Sequence, residues 1–151
     1  MSFLGNLLKG FAGPPPTGEH PKVAERRRMA EAGDKESQFH MGLLYEGGEA
    51  GQRARVTQDY VQSAMWYRKA AEQDHHAAQL YLGGYYMEGK GVPRDLVEAL
   101  KWTLLAKRGN SWDRSYANQE QIRLENVMSE LDINKARAMA LQFAAEHGDE
   151  V

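Results

Sequence analysis

The sequence predicts an all-α protein, a short solenoid of stacked antiparallel helix pairs, and three observations carry that prediction. Gly42-Leu43-Leu44-Tyr45-Glu46-Gly47-Gly48 is echoed by Gly83-Gly84-Tyr85-Tyr86-Met87-Glu88-Gly89. Val56-Thr57-Gln58-Asp59 is echoed by Val92-Pro93-Arg94-Asp95, and a tryptophan, Trp66 or Trp102, follows each aspartate by seven residues. Helix-favouring residues run through the chain, while β-branched residues are sparse and never alternate as a half-buried strand requires. Self-similarity at a period of 36 to 41 residues marks a helical repeat, because one unit cannot bury its own apolar face and stacks on the next.

The elements follow in order. Residues 1–13 hold an amphipathic segment, with Phe3, Leu4, Leu7, Leu8 and Phe11 on one face of a short helix. Residues 14–21 are a proline-rich linker, opened by Pro14-Pro15-Pro16, which favours an extended spacer. The folded domain is expected over 22–148. An opening helix at about 22–32 stops at Gly33 and is the second half of an incomplete unit. Three helix pairs follow, at about 35–47 with 59–73, 76–88 with 95–108, and 113–130 with 132–147. The last is a diverged capping pair, since its first helix lacks the glycine–tyrosine pattern.

Each repeated residue has a physical role. Gly42 and Gly83 would cost about 1 kcal/mol inside a helix, so they are expected to admit close approach of a neighbouring helix's backbone. Tyr45 and Tyr86 lie three residues on, and Trp66 and Trp102 come from the paired helix. Ala70 and Ala106, four residues after each tryptophan, let the next helix in. Gly89 and Gly91 are expected to supply positive backbone angles in the turn, and Gly48 is the first copy's matching glycine. Asp59 and Asp95 are placed to cap the helices they precede.

This pattern resembles the Sel-like repeat, a relative of the tetratricopeptide repeat. Tyr86-Met87-Glu88-Gly89-Lys90-Gly91-Val92-Pro93-Arg94-Asp95 with Ala99 and Trp102 matches it, as do Gly42, Tyr45, Gly48, Val56, Asp59 and Trp66 to Glu72 in the first copy. The resemblance covers residues 24–148. It implies a right-handed superhelix that serves as an adaptor or scaffold, without catalysis. The first copy departs from the pattern by a five-residue insertion within Glu49–Arg55, expected as an expanded loop, and Thr103 stands where the first copy has Tyr67.

The expected function is protein binding on the concave face. Phe39, Leu43 and Glu46, with Leu80, Gly84 and Met87, form a strip on the first helices of the two repeats that would accept a partner's helix or extended peptide. Alanine at Leu43 and Met87 is expected to weaken capture rather than stability. Arg53 and Arg55 in the insertion are a second candidate contact. The alternative is a membrane-peripheral scaffold tethered by residues 1–11, although Lys9 is that segment's one basic residue. An enzyme is the weaker alternative, since no phosphate loop, nucleophile elbow or dinucleotide fingerprint occurs.

Composition narrows the classes further. A net charge of −2 gives no general affinity for nucleic acid. Arg26-Arg27-Arg28 is flanked by Glu25, Glu31, Asp34 and Glu36 and reads as solvated helix surface. The five histidines have no metal-ligand spacing, and there are no cysteines. No metal or cofactor is expected, and a reducing, cytoplasmic location fits.

Overall fold

The computed structural model describes residues 18–147. The amphipathic segment 1–13 and linker residues 14–17 lie outside the described residues, as does Gly148. Among the described residues the chain forms eight helices and no strand. They are α1 (Pro21–Glu31), α2 (Lys35–Glu46), α3 (Gly48–Ala54), α4 (Tyr60–Glu72), α5 (His76–Glu88), α6 (Leu96–Ala106), α7 (Ser111–Glu125) and α8 (Glu130–Glu146). None is long and apolar enough to cross a membrane.

Local chemistry sets these boundaries. Pro21, read as the end of the spacer, instead opens α1, where a missing N–H costs nothing. Asp59 Oδ1 accepts from the N–H groups of Val61 and Gln62 at 2.9 and 3.0 Å, and Asp95 Oδ1 accepts from Val97 and Glu98 at 2.9 and 3.1 Å. Both caps sit where the repeat places them. Gly89 and Gly91 take φ of 69° and 68°, the left-handed values expected of them. Gly91 is doubly constrained, since a Cβ there would stand 2.1 Å from the Tyr60 carbonyl oxygen.

Three further expectations are corrected. The insertion Glu49–Arg55 is not an expanded loop but mostly the two-turn helix α3, seated on α2 so closely that a Cβ on Gly51 would meet the Leu44 carbonyl at 2.7 Å. The helix expected over 113–130 ends at Glu125, because Ser129 caps α8, its hydroxyl oxygen accepting from the Asp132 N–H at 3.1 Å. Arg27 is buried rather than solvated, pairing with Glu19 and donating to the Tyr45 hydroxyl at 3.0 Å.

Packing follows the repeat. α2 lies on α4 and α5 on α6, α4 against α5 joins the two units, and α7 and α8 both lie against α6. Trp66 and Trp102 are each 1% exposed, while Ala70 and Ala106 are fully buried. The main core runs from Tyr67 through Leu82, Leu100 and Trp102 to Leu124, Ala136, Ala140 and Ala144. A smaller cluster of Ala30, Met41 and Trp66 ties α1 to the first repeat. The stack thus places α2, α5 and α7, the first helices of the three pairs, around one groove.

Candidate functional site: the groove shared by α2, α5 and α7

The groove holds about 330 Å³. Its floor is α5, which presents Leu80, Tyr81, Gly84 and Tyr85, a stripe of helical spacing. Nothing lies within 4 Å of where a Gly84 Cβ would stand, so the floor is open at its middle. One wall is Glu46 from the last turn of α2 with Lys90 from the α5–α6 turn. The other is Trp112 and Tyr116 from the start of α7, with Glu88 at the end of α5 completing the lining.

A polar network fixes the first wall. The Tyr67 ring, rising from α4, fills the notch at Gly42, where a Cβ would meet it at 2.4 Å. Its hydroxyl donates to Glu46 Oε2 at 2.8 Å, and Lys90 Nζ stands 3.4 Å from Glu46 Oε1. The Lys90 ammonium also lies 4.3 Å from the Tyr60 ring centre and 5.1 Å from that of Tyr85, within cation–π range. Ser63 donates its single hydroxyl proton to the Gly42 carbonyl at 2.8 Å, so the Tyr85 hydroxyl, 2.8 Å away, donates to Ser63.

Burial, reinforced by the Glu46 carboxylate, holds the Tyr67 phenol far above its ordinary range. Burial raises Tyr85 as well, and burial with the charges of Glu46 and Tyr116 raises Tyr81. All three phenols therefore stay protonated and act as donors at physiological pH. The groove thus offers aromatic faces, the Tyr81 phenol, two carboxylates and an ammonium that is already engaged. Such a set suits recognition of a ligand by stacking, charge and hydrogen bonding.

The structure brings Glu46, Leu80 and Gly84 together in this groove. It does not bring the other candidates there. Phe39 is half-buried between the repeats, stacked on His75 at 4.6 Å and edge-on to Tyr81 at 5.6 Å. Leu43 and Met87 pack partly buried against the main core. Arg53 is exposed on α3 and pairs with Glu49 at 3.1 Å, and Arg55 caps α3 with φ of 58°. Tyr81, Tyr85, Glu88, Lys90, Trp112 and Tyr116 were not foreseen. Trp112 and Tyr116 carried a signal, two aromatics four residues apart near the start of a helix otherwise read as a cap.

The Sel1 repeat pattern matches residues 35–75 and 76–111, half of the chain. Chitin synthase regulatory factor 3 of Schizosaccharomyces pombe is 37% identical over 78 residues, which are 50% of this chain and 8% of that protein. Among solved structures, the chain is similar to c5321, a protective antigen of uropathogenic Escherichia coli strains displaying an SLR fold. That likeness has a TM-score of 0.72 at 30% identity and covers 83% of this chain and 25% of c5321. A Sel1 repeat protein from Oxalobacter formigenes aligns with a TM-score of 0.56 at 32% identity, over 64% of this chain and 70% of its own. With two matched repeats in phase and the same helical stack in both structures, this chain belongs to the Sel1 repeat family.

Proposed function

We propose that this chain is a non-catalytic adaptor that receives a segment of a partner protein in the groove shared by α2, α5 and α7. The Sel1 repeat solenoid is a fold of protein–protein interaction, and the reading adds where and how. The observation that carries it is the open floor at Gly84 between a polar wall and an aromatic wall. A peptide laid along α5 meets apolar contact below and hydrogen-bonding groups at one side. The regulatory role named for the S. pombe relative is consistent with a binding module. A cytoplasmic location belongs to the same reading and is supported by the absence of cysteine from the sequence.

The test uses the space at Gly84. A photo-reactive phenylalanine analogue there, with the same group at exposed Val61 of α4 as control, should yield partner adducts from position 84 alone. Gly84→Gln fills the floor without touching the core and should abolish capture of that partner while preserving the melting temperature. Adducts from position 61 instead, or capture undiminished by Gly84→Gln, would overturn the reading.

A further inference from the structure

We infer that the groove selects a basic segment, seating an arginine of the partner against Trp112 and Tyr116 with Glu88 as its counter-charge. This rests on the reading of the groove as the protein-binding site and adds the chemistry of its occupant.

The argument begins with what is already engaged. Glu46 is satisfied within the molecule by the Tyr67 hydroxyl and by Lys90. Among the described residues that line the groove Lys90 is the one cation, held over the faces of Tyr60 and Tyr85 beside that carboxylate. The protein's own lysine therefore shows how this surface holds a positive charge, between aromatic faces and a carboxylate.

The same kinds of group recur across the groove, where Trp112, Tyr116 and Glu88 line one opening. Trp112 and Tyr116 stack at 5.8 Å with ring planes 20° apart, yet remain 60% and 47% exposed. Glu88 is exposed, and its side chain has no hydrogen bond or ion pair among the described residues. It is also the last residue of α5, where the helix end adds partial negative charge. Arg94, the nearby cation of the turn, spends its Nε–H on the Met87 carbonyl at 3.0 Å and does not line the groove. Arginine suits the opening better than lysine, because its planar guanidinium stacks on a ring while its N–H fork meets a carboxylate.

Trp112 makes the inference measurable, since Trp66 and Trp102 are each 1% exposed and shielded from any groove ligand. Titration of the full chain with acetyl-Gly-Arg-Gly-Arg-Gly-amide, followed on the indole N–H resonance that Trp112→Phe removes, should give a saturable shift. The same peptide with neutral citrulline in place of arginine should bind at least about fivefold more weakly. Glu88→Gln should weaken the arginine peptide similarly, and added salt should weaken it further. Trp112→Ala, with binding followed by calorimetry, should remove it. Both substituted side chains are exposed, and unchanged melting temperatures would confirm that the variants fold. Equal affinity for the citrulline peptide, or none lost in Glu88→Gln, would overturn the charge selection and leave the groove reading standing. No saturation with either peptide up to about 10 mM would overturn this inference outright. The groove reading itself stands or falls on the cross-link at position 84.

Discussion

In the first repeat the glycine notch of α2 is filled by an aromatic ring, whereas in the second the notch of α5 is closed by α6 itself. A Cβ on Gly42 would meet three atoms of Tyr67, the nearest at 2.4 Å; on Gly83 it would meet Thr103 Oγ1 at 2.9 Å and the Ala99 carbonyl at 3.2 Å. The matching positions on the partner helices are Tyr67 and Thr103, and those at the helix ends are Glu46 and Met87. Polar goes with the long phenol and apolar with the short hydroxyl, which Thr103 spends on its own helix at the Ala99 carbonyl, 2.8 Å away. One motif therefore supports two pairings. The ring in the notch carries a hydroxyl through to Glu46 and builds the polar wall of the groove.

The turns show the complementary lesson. Gly48 and Gly89 both have φ of 69°, and Arg55 at 58° stands where Gly91 has 68°. The chain takes matching left-handed angles at these two points of each repeat, and the five extra residues are wound into α3 between them. A left-handed arginine is strained, but at Arg55 the site is exposed and has room. At Gly91 the Tyr60 carbonyl leaves none.

The sharpest way to break the comparison is at those two turns. Gly91→Ala should cost about 3 kcal/mol or more, from strain and the clash with Tyr60 together. Arg55→Gly at the matching place should change stability by less than about 0.5 kcal/mol. Urea unfolding of both variants tests this, and similar losses would refute the asymmetry.

The notch comes next. Gly42→Ala should cost about 2–3 kcal/mol, because the buried Tyr67 ring cannot yield. Adding Tyr67→Thr, which copies the second repeat, should recover at least about 1 kcal/mol relative to additivity. Strict additivity of the two changes would mean that the ring and the glycine are not matched.

A smaller effect separates the walls by pH. The folded state holds the Tyr67 and Tyr85 phenols above their ordinary value of 10.0. Above about pH 10 the unfolded chain releases those protons while the folded chain keeps them. The unfolded state then binds fewer protons, so stability falls as pH rises through that range. Tyr67→Phe should lose about 1 kcal/mol at neutral pH and flatten the alkaline fall. An unaltered alkaline slope in the variant would argue against a Tyr67 phenol held protonated by burial and by Glu46.

The smallest effect is on α3. Arg53 and Glu49 are 81% and 85% exposed, so Arg53→Ala should leave the urea midpoint where it is. A clear shift would show that this pair holds α3 in place, beyond the packing of Gly51.

Much of the fold was legible because the repeat is written in residues with one physical use each. Aspartate before a helix caps it, glycine in a turn takes positive φ, and a tryptophan matched by an alanine four residues on packs a helix pair. The boundary at Glu125 was missed because helix propensity continues through Asn126-Val127-Met128, and the decisive signal is a single serine cap. The candidate site was legible in part. Glu46, Leu80 and Gly84 follow from periodicity, but Phe39, Leu43 and Met87 share their helix faces and were turned into packing by neighbours that periodicity does not reveal.

Local patterns thus sufficed for the repeat helices, the Asp59 and Asp95 caps and the order of the elements, because caps and helix faces depend on residues within about one turn of one another. The groove depended on contacts far apart in the chain. Trp112 lines the same groove as the α5 floor, Lys90 reaches back to Glu46, and the Tyr67 ring enters the notch at Gly42. Each of these joins residues from separate segments, and their meeting is set by how the helices stack, a geometry that no single stretch of sequence encodes.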